Sequence, residues 1–186
     1  MLVSNHSGGT SLLDVFAFLE GWYRRFGVRR PLHPLAHEVL LSNSVTGPFM
    51  SRCGILHADE AIAQEALLAH REDVIVFPGS DRDAWRPYSK RYEVRFSGRT
   101  GYARLALKTG VSVIPVANAG IHDTMIVLTD GQWLARWMRV HALSRAHIFP
   151  IHLSIPWGLA IGPWPHLPLP TRLRYRVGPA VPPPEG

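Results

Sequence analysis

Short apolar runs that stop at a glycine or proline alternate along this chain with stretches whose apolar residues recur at helical spacing. That alternation restricts the fold more than any other feature. Residues 1–5 read as a buried strand that opens into the polar loop Ser4-Asn5-His6-Ser7-Gly8-Gly9. Residues 10–26 place Leu12, Leu13, Val15, Phe16, Phe18, Leu19 and Trp22 on one side of a helix, with Thr10 or Ser11 as its cap. A second helix over 59–71 follows from the spacing of Ala61, Ile62, Ala66, Leu67 and Leu68, and the run 73–77 is a strand cut off by Pro78-Gly79. Residues 101–109 form a helix that ends at Gly110, and 111–116 return to a strand. Strand, helix and strand in repeated order predict an α/β fold, with a mostly parallel central sheet flanked by helices.

Two stretches fit that scheme less well. Residues 131–145 carry Trp133, Leu134, Trp137, Met138 and Leu143 with Arg136, Arg139 and Arg145 elsewhere, a basic amphipathic helix expected to pack on the core rather than lie in a membrane interface. Residues 146–171 hold no Asp, Glu, Lys or Arg, yet Pro150, Pro156, Pro163, Pro165, Pro168 and Pro170 forbid a continuous helix, so an irregular apolar surface is expected there. No apolar run is long enough to span a bilayer, and no leader of charged then apolar residues opens the chain. At 186 residues one domain, 1–186, is the expectation. Because the chain starts almost on its first strand and its tail 179–186 stops in mid-loop, the domain is expected to be incomplete at both ends.

The net charge is +6, and every basic residue except Lys90 and Lys108 is Arg. A sequence pI near 10.1 suits a negatively charged partner: nucleic acid, an anionic membrane face or a phosphorylated substrate. Cys53 is the single cysteine, which excludes a disulfide scaffold and a cysteine-built zinc site. The histidines show no spacing with carboxylate support that would hold a metal, so neither metal nor cofactor is expected.

Two loops could carry chemistry. In the first, His6 sits at a strand tip and Asp14 about one turn into the following helix, where ligands of open α/β sheets bind. An imidazole that deprotonates a hydroxyl becomes positive, and a carboxylate on its second nitrogen fixes the tautomer and steadies that charge. Gly8 and Gly9 could present backbone N–H groups to an oxyanion or phosphate. In the second loop Phe77, Pro78, Gly79 and Ser80 lead into Arg82 and Arg86, which suits an anion-binding turn at the same sheet edge. A structural histidine and a solvated turn are the alternatives these residues leave open.

Together the loops resemble the glycerolipid acyltransferase superfamily, which includes the lysophosphatidate and diacylglycerol acyltransferases. Its first signature pairs a histidine with an aspartate after four residues, and the seven between His6 and Asp14 look like a glycine-extended version. Phe77-Pro78-Gly79-Ser80 is similar to the third signature, Phe-Pro-Glu-Gly, in the glutamate-free form of the diacylglycerol acyltransferase branch. The segment 97–107 followed by Val113-Ile114-Pro115-Val116 resembles that branch's approach to its last signature. The second signature of phosphatidate-forming members contributes a phosphate-gripping arginine, and Gly54-Ile55-Leu56-His57-Ala58-Asp59 has none, although Arg52 lies just before it. A strict lysophosphatidate acceptor is therefore not implied, and neutral glycerides or other lipids stay open. The family also carries helices ahead of its first signature, so the resemblance implies a missing N-terminal part.

What the resemblance implies is transfer of an acyl group from acyl-CoA, a co-substrate, or from acyl carrier protein to a lipid hydroxyl. His6 would be the general base and Asp14 its orienter, and Ser7, Gly8, Gly9, Phe77, Pro78, Gly79 and Ser80 with Arg82 or Arg86 would help place substrates. The apolar 148–170 segment with Trp133 and Trp137 would admit lipid. The implied partners are the acyl donor, a lipid acceptor and the cytoplasmic face of a membrane, held peripherally. A non-catalytic lipid-binding relative is the alternative. A hydrolase lacks its Gly-x-Ser-x-Gly elbow, and nucleic-acid binding is not expected because the arginines are scattered and no recognition signature appears.

Overall fold

Adjacent residues of a strand point to opposite faces of a sheet, so an apolar run with no polar alternation must be covered on both sides. A computed structural model of the chain, describing residues 1–140 and 147–184, shows that arrangement. Strand β1 (Leu2–Ser4) leads through a 3-10 turn at Gly9–Ser11 into α1 (Leu13–Phe26). Then follow β2 (Leu32–Ala36), α2 (Glu38–Leu41), α3 (Thr46–Arg52), β3 (Leu56–His57) and α4 (Glu60–Gln64), which a π turn extends over Glu65–Ala69. Strand β4 (Asp73–Val76) precedes α5 (Ser80–Ala84), and α6 (Gly101–Thr109) precedes β5 (Ile114–Ala119). The remainder holds β6 (Ile126–Thr129), α7 (Gln132–Trp137), β7 (Ile151–Ser154), β8 (Gly158–Ile161) and β9 (Arg174–Val177).

The main sheet has six strands among the described residues, in the order β3-β2-β4-β1-β5-β9. All neighbours are parallel except β5 and β9. Strand β1 is central: Leu2 pairs with Ile75 on one side and Ile114 on the other, and Ser4 with Val116. Val3, Val74 and Val76 pack with Ala63, Leu67 and Leu105 under α4 and α6, while Leu2, Ile75 and Leu32 pack with Val15, Phe18 and Leu19 of α1. The expected mostly parallel sheet with helices on its faces is thus the observed architecture.

Several sequence expectations shift. The first helix begins at Leu13, with no side-chain cap from Thr10 or Ser11; the Ser11 hydroxyl donates back to the Gly8 carbonyl inside the 3-10 turn. The cap of α4 is Asp59, whose carboxylate accepts from Ala61 N and Ile62 N. Residues 146–171, expected to be irregular, contain β7 and β8, which join β6 in a second, antiparallel sheet. The prolines overstated the irregularity: Pro150 and Pro156 sit just outside β7, and Ile151-His152-Leu153-Ser154 alternates with the period of a strand, His152 and Ser154 facing inward and Leu153 outward. The amphipathic helix expected over 131–145 is a helix over Gln132–Trp137; its end, with Leu143 and Arg145, lies outside the described residues, as does Ala146 at the head of the next stretch. Only Ala135 of that helix is buried, and Trp133 and Trp137 are exposed, so core packing of its aromatic side is overturned. No helix among the described residues is long and apolar enough to cross a membrane.

Candidate active site

Three parallel strands, β4, β1 and β5, lie side by side, so the loops after Val76, Ser4 and Ala119 leave the same carboxyl edge of the sheet. His6 leaves β1 and meets Asp14 in the first turn of α1: Nδ1 lies 2.7 Å from Asp14 Oδ2. The same carboxylate oxygen accepts from Ser7 N at 2.9 Å, and Oδ1 accepts from Val15 N at 2.9 Å. Asp14 is fully buried and the His6 side chain is 12% exposed, so the pair sits at the surface end of a dry contact. With Nδ1 facing the carboxylate, Nε2 is the nitrogen left for a substrate proton. Burial alone would lower the His6 pKa, but the neighbouring Asp14 carboxylate, with Asp83 beyond it, holds it above the ordinary histidine value.

The second loop closes on the same imidazole. The Phe77 ring lies 5.2 Å from that of His6, and Asp83 Oδ2 accepts the His6 backbone N–H at 2.6 Å. Asp83 Oδ1 also accepts from Arg95 N and from the Arg86 guanidinium. Arg86 is 1% exposed; its Nη2 donates to His122 Nε2 at 2.5 Å, and its other donors reach the carbonyls of Asp83, Lys90 and Arg91. Burial beside that guanidinium pushes the His122 pKa down to about 3, which keeps the ring neutral and able to accept. Burial raises the Asp83 pKa and lowers that of Arg86, the signature of a desolvated pair held by hydrogen bonds on every side.

Of the two arginines singled out in the sequence, Arg86 is therefore committed to the protein interior. Arg82 is partly buried, and its Nε has no partner among the described residues. Pro78 offers its carbonyl to Arg99 Nη1 at 3.2 Å, and Gly79 packs so closely that a Cβ there would lie 2.2 Å from that of Asp83. Ser80 opens α5 at φ 49°, a left-handed conformation that non-glycine residues rarely take. Gly8 and Gly9 also have positive φ, and Gly9 lies against Trp85 and Met125. Ser7 is buried, its hydroxyl donating to Asn118 Oδ1 at 3.1 Å.

Asn118 escaped the sequence reading. From the end of β5 it donates from N to Asn5 Oδ1 at 2.8 Å and from Nδ2 to Asn5 O at 2.6 Å, tying two strand ends together just before His6. Tyr175 of β9 donates to the Asp14 carbonyl at 2.9 Å. A polar side chain closing an apolar strand at the sheet's carboxyl edge was the available signal for Asn118; Asp83, His122 and Tyr175 had none. Beside Asn5 lies an apolar cleft of about 330 Å³, lined by Val3, Phe96, Tyr102, Val113 and Val116 among others.

Comparison with known proteins bears on this arrangement. The acyltransferase family profile matches residues 1–119, which hold β1 to β5 and both loops. Uncharacterized proteins of Mycobacterium leprae and Mycobacterium tuberculosis are each 27% identical over 178 residues, covering 96% of this chain and 46% and 47% of their own lengths. The chain thus spans just under half the length of the curated relatives it matches. No solved structure matches it. With the profile covering well over half of the residues and the whole His6 edge of the sheet, the chain belongs to the acyltransferase family.

Proposed function

We propose that this chain transfers a fatty acyl group from acyl-CoA or acyl carrier protein to a hydroxyl of a glycerolipid. The observation that carries the reading is the Nδ1 contact of His6 with buried Asp14 at 2.7 Å, which leaves Nε2 as the base. The acceptor hydroxyl gives its proton to Nε2 as its oxygen attacks the thioester carbonyl. The tetrahedral intermediate then breaks its C–S bond, and the departing thiolate takes the proton back from the imidazolium. Asp14 steadies that imidazolium and keeps the ring in one tautomer. The apolar cleft beside Asn5 takes the acyl chain, and Arg82, with its unpartnered Nε, serves the phosphates of donor or acceptor better than Arg86, which Asp83 and His122 engage.

The glutamate-free Phe77-Pro78-Gly79-Ser80 turn supports an acceptor of the diacylglycerol acyltransferase kind, and the length of the relatives supports a missing part of the protein. The work site of this reading is the cytoplasmic face of a membrane, held peripherally. The test follows label from acyl-CoA into monoacylglycerol, diacylglycerol and lysophosphatidate. His6→Ala is expected to cut turnover by about 10²–10⁴-fold with circular dichroism and thermal unfolding unchanged. Wild-type turnover in that variant would sink the reading.

A further inference from the structure

The second sheet is apolar on the side that faces away from the core. Its register sets Ile126, Leu153 and Leu159 in one row and Ile151 and Ile161 in the next, while Val127, His152 and Ala160 form the row beneath. The lower row is buried, and the upper is not: Leu153 is 40% exposed, Leu159 62% and Ile161 52%. At the end of the β7–β8 hairpin the rings of Trp157 and Trp164 lie 5.9 Å apart, both about half exposed. Their indole N–H groups donate to Pro165 O and Ile161 O, so the rings offer carbon surface without an unpaired donor. Helix α7, which follows β6 in the chain, adds exposed Trp133 and Trp137, with Arg136 and Arg139 beside them in sequence.

A soluble monomer rarely leaves a contiguous apolar face of this kind open to water. Its composition identifies the occupant. Residues 147–171 contain no charged side chain, so nothing on β7, β8 or their connection must be paired or desolvated when the face is covered. Indole rings whose donors are already satisfied, on a chain of net charge +6 whose α7 segment carries Arg136 and Arg139 beside exposed Trp133 and Trp137 in sequence, match the boundary between acyl chains and anionic headgroups. The sheet is also one layer from the chemistry: its buried side joins Trp85 and Met125 in a small core, and Gly9 rests on those two side chains.

We propose that the outward face of β6, β7 and β8, with Trp157 and Trp164 at its tip, seats this chain on an anionic lipid bilayer, and that Arg136 and Arg139 of the α7 segment meet its headgroups. The proposal rests on the acyl-transfer reading for its purpose, because it names the surface through which the domain meets its lipid. Its test does not depend on turnover. The 186-residue chain is sedimented with vesicles of phosphatidylcholine, with and without phosphatidylglycerol. The wild type is expected to pellet with the anionic vesicles and to release as salt rises, since the arginine part of the attraction is screened. Leu153→Ser with Leu159→Ser should weaken binding by about tenfold or more, and Arg136→Gln with Arg139→Gln should remove the preference for phosphatidylglycerol.

Should the double leucine variant fail to fold, bromine-labelled acyl chains give a second reading: they should quench wild-type tryptophan emission, and less so in Trp157→Phe. Wild type that stays in the supernatant with both compositions overturns the proposal, as does a folded double variant that binds like wild type. A dimer dissolved by Leu159→Ser, without vesicle binding, would assign the face to a second copy instead. Transfer to a water-soluble short-chain acceptor, measured without vesicles, tests the catalytic reading separately. Loss of transfer with vesicle binding intact condemns the catalytic reading alone.

Discussion

Asp14 holds the site through every acceptor it has. One carboxylate oxygen takes His6 Nδ1 and Ser7 N, the other takes Val15 N, and its backbone carbonyl takes the Tyr175 hydroxyl. Its neighbour's chemistry follows from that placement. Burial works against a charged His6, but Asp14 and Asp83 outweigh it and leave the pKa above the ordinary value. A general base acts only when deprotonated, so turnover should rise with pH through an apparent pKa above about 6.5. Asp14→Asn removes the leading charge, and the rising limb should move to lower pH. The same variant should lose about 10²–10⁴-fold in rate, because an amide no longer enforces the Nδ1-protonated tautomer. A pH–rate profile of both proteins checks this, and an unmoved limb in Asp14→Asn would show that Asp14 does not set the His6 pKa.

The segment joining β1 to α1 shows how the site is built from an element rather than a residue. Gly8, Gly9 and Leu12 all take positive φ, which tightens the connection into a 3-10 turn and delays the helix to Leu13, so that Asp14 falls opposite His6. Gly9 has a second constraint, since a Cβ there would lie 2.7 Å from Trp85 Cζ2 and 2.8 Å from Met125 Cε. Gly9→Ala should therefore cost about 1–3 kcal/mol in urea unfolding and lower turnover, whereas Gly21→Ala, inside α1 where a Cβ meets nothing, should stabilise by about 0.5–1 kcal/mol and leave turnover unchanged. Equal stability of the two variants would show that the loop has room to relax. Much of this unit was legible in the chain: an apolar run, a glycine pair and a helical stripe carry local signals, as does α6, which starts and stops where the sequence predicts. The cap at Thr10 or Ser11 was misread because the glycines, not the hydroxyls, set where α1 begins. Strands β7 and β8 were obscured by prolines that flank them, and β9 shows an alternation too short to stand out.

Across the molecule, buried polar groups meet in ways that no local pattern reveals. Asp83, Arg86 and His122 come from α5, the turn after it and the segment after β5, and their meeting depends on the tertiary fold. His152 and His166 are buried with the second sheet. Burial lowers the pKa of all three histidines, that of His122 to about 3. An unfolded histidine takes up its proton near pH 6.5 while these folded ones do not, so the stability they contribute is complete above that pH and is lost as pH falls toward each folded value. His6 and Asp83, held above their ordinary values, act in the opposite direction and offset part of the loss. Three lowered histidines against one raised predict a protein that weakens on mild acidification, at up to about 1.4 kcal/mol per pH unit for each uncompensated proton. Urea unfolding between pH 7 and pH 5 measures the slope. His166 offers the sharpest check, because both its ring nitrogens are buried without a partner among the described residues. His166→Leu should be more stable than wild type at pH 7, where it removes two unsatisfied polar atoms, and its stability should fall less steeply below pH 6.5. A variant that loses stability at pH 7 while keeping the wild-type slope would show that His166 does not titrate with folding and that its imidazole is held by a partner.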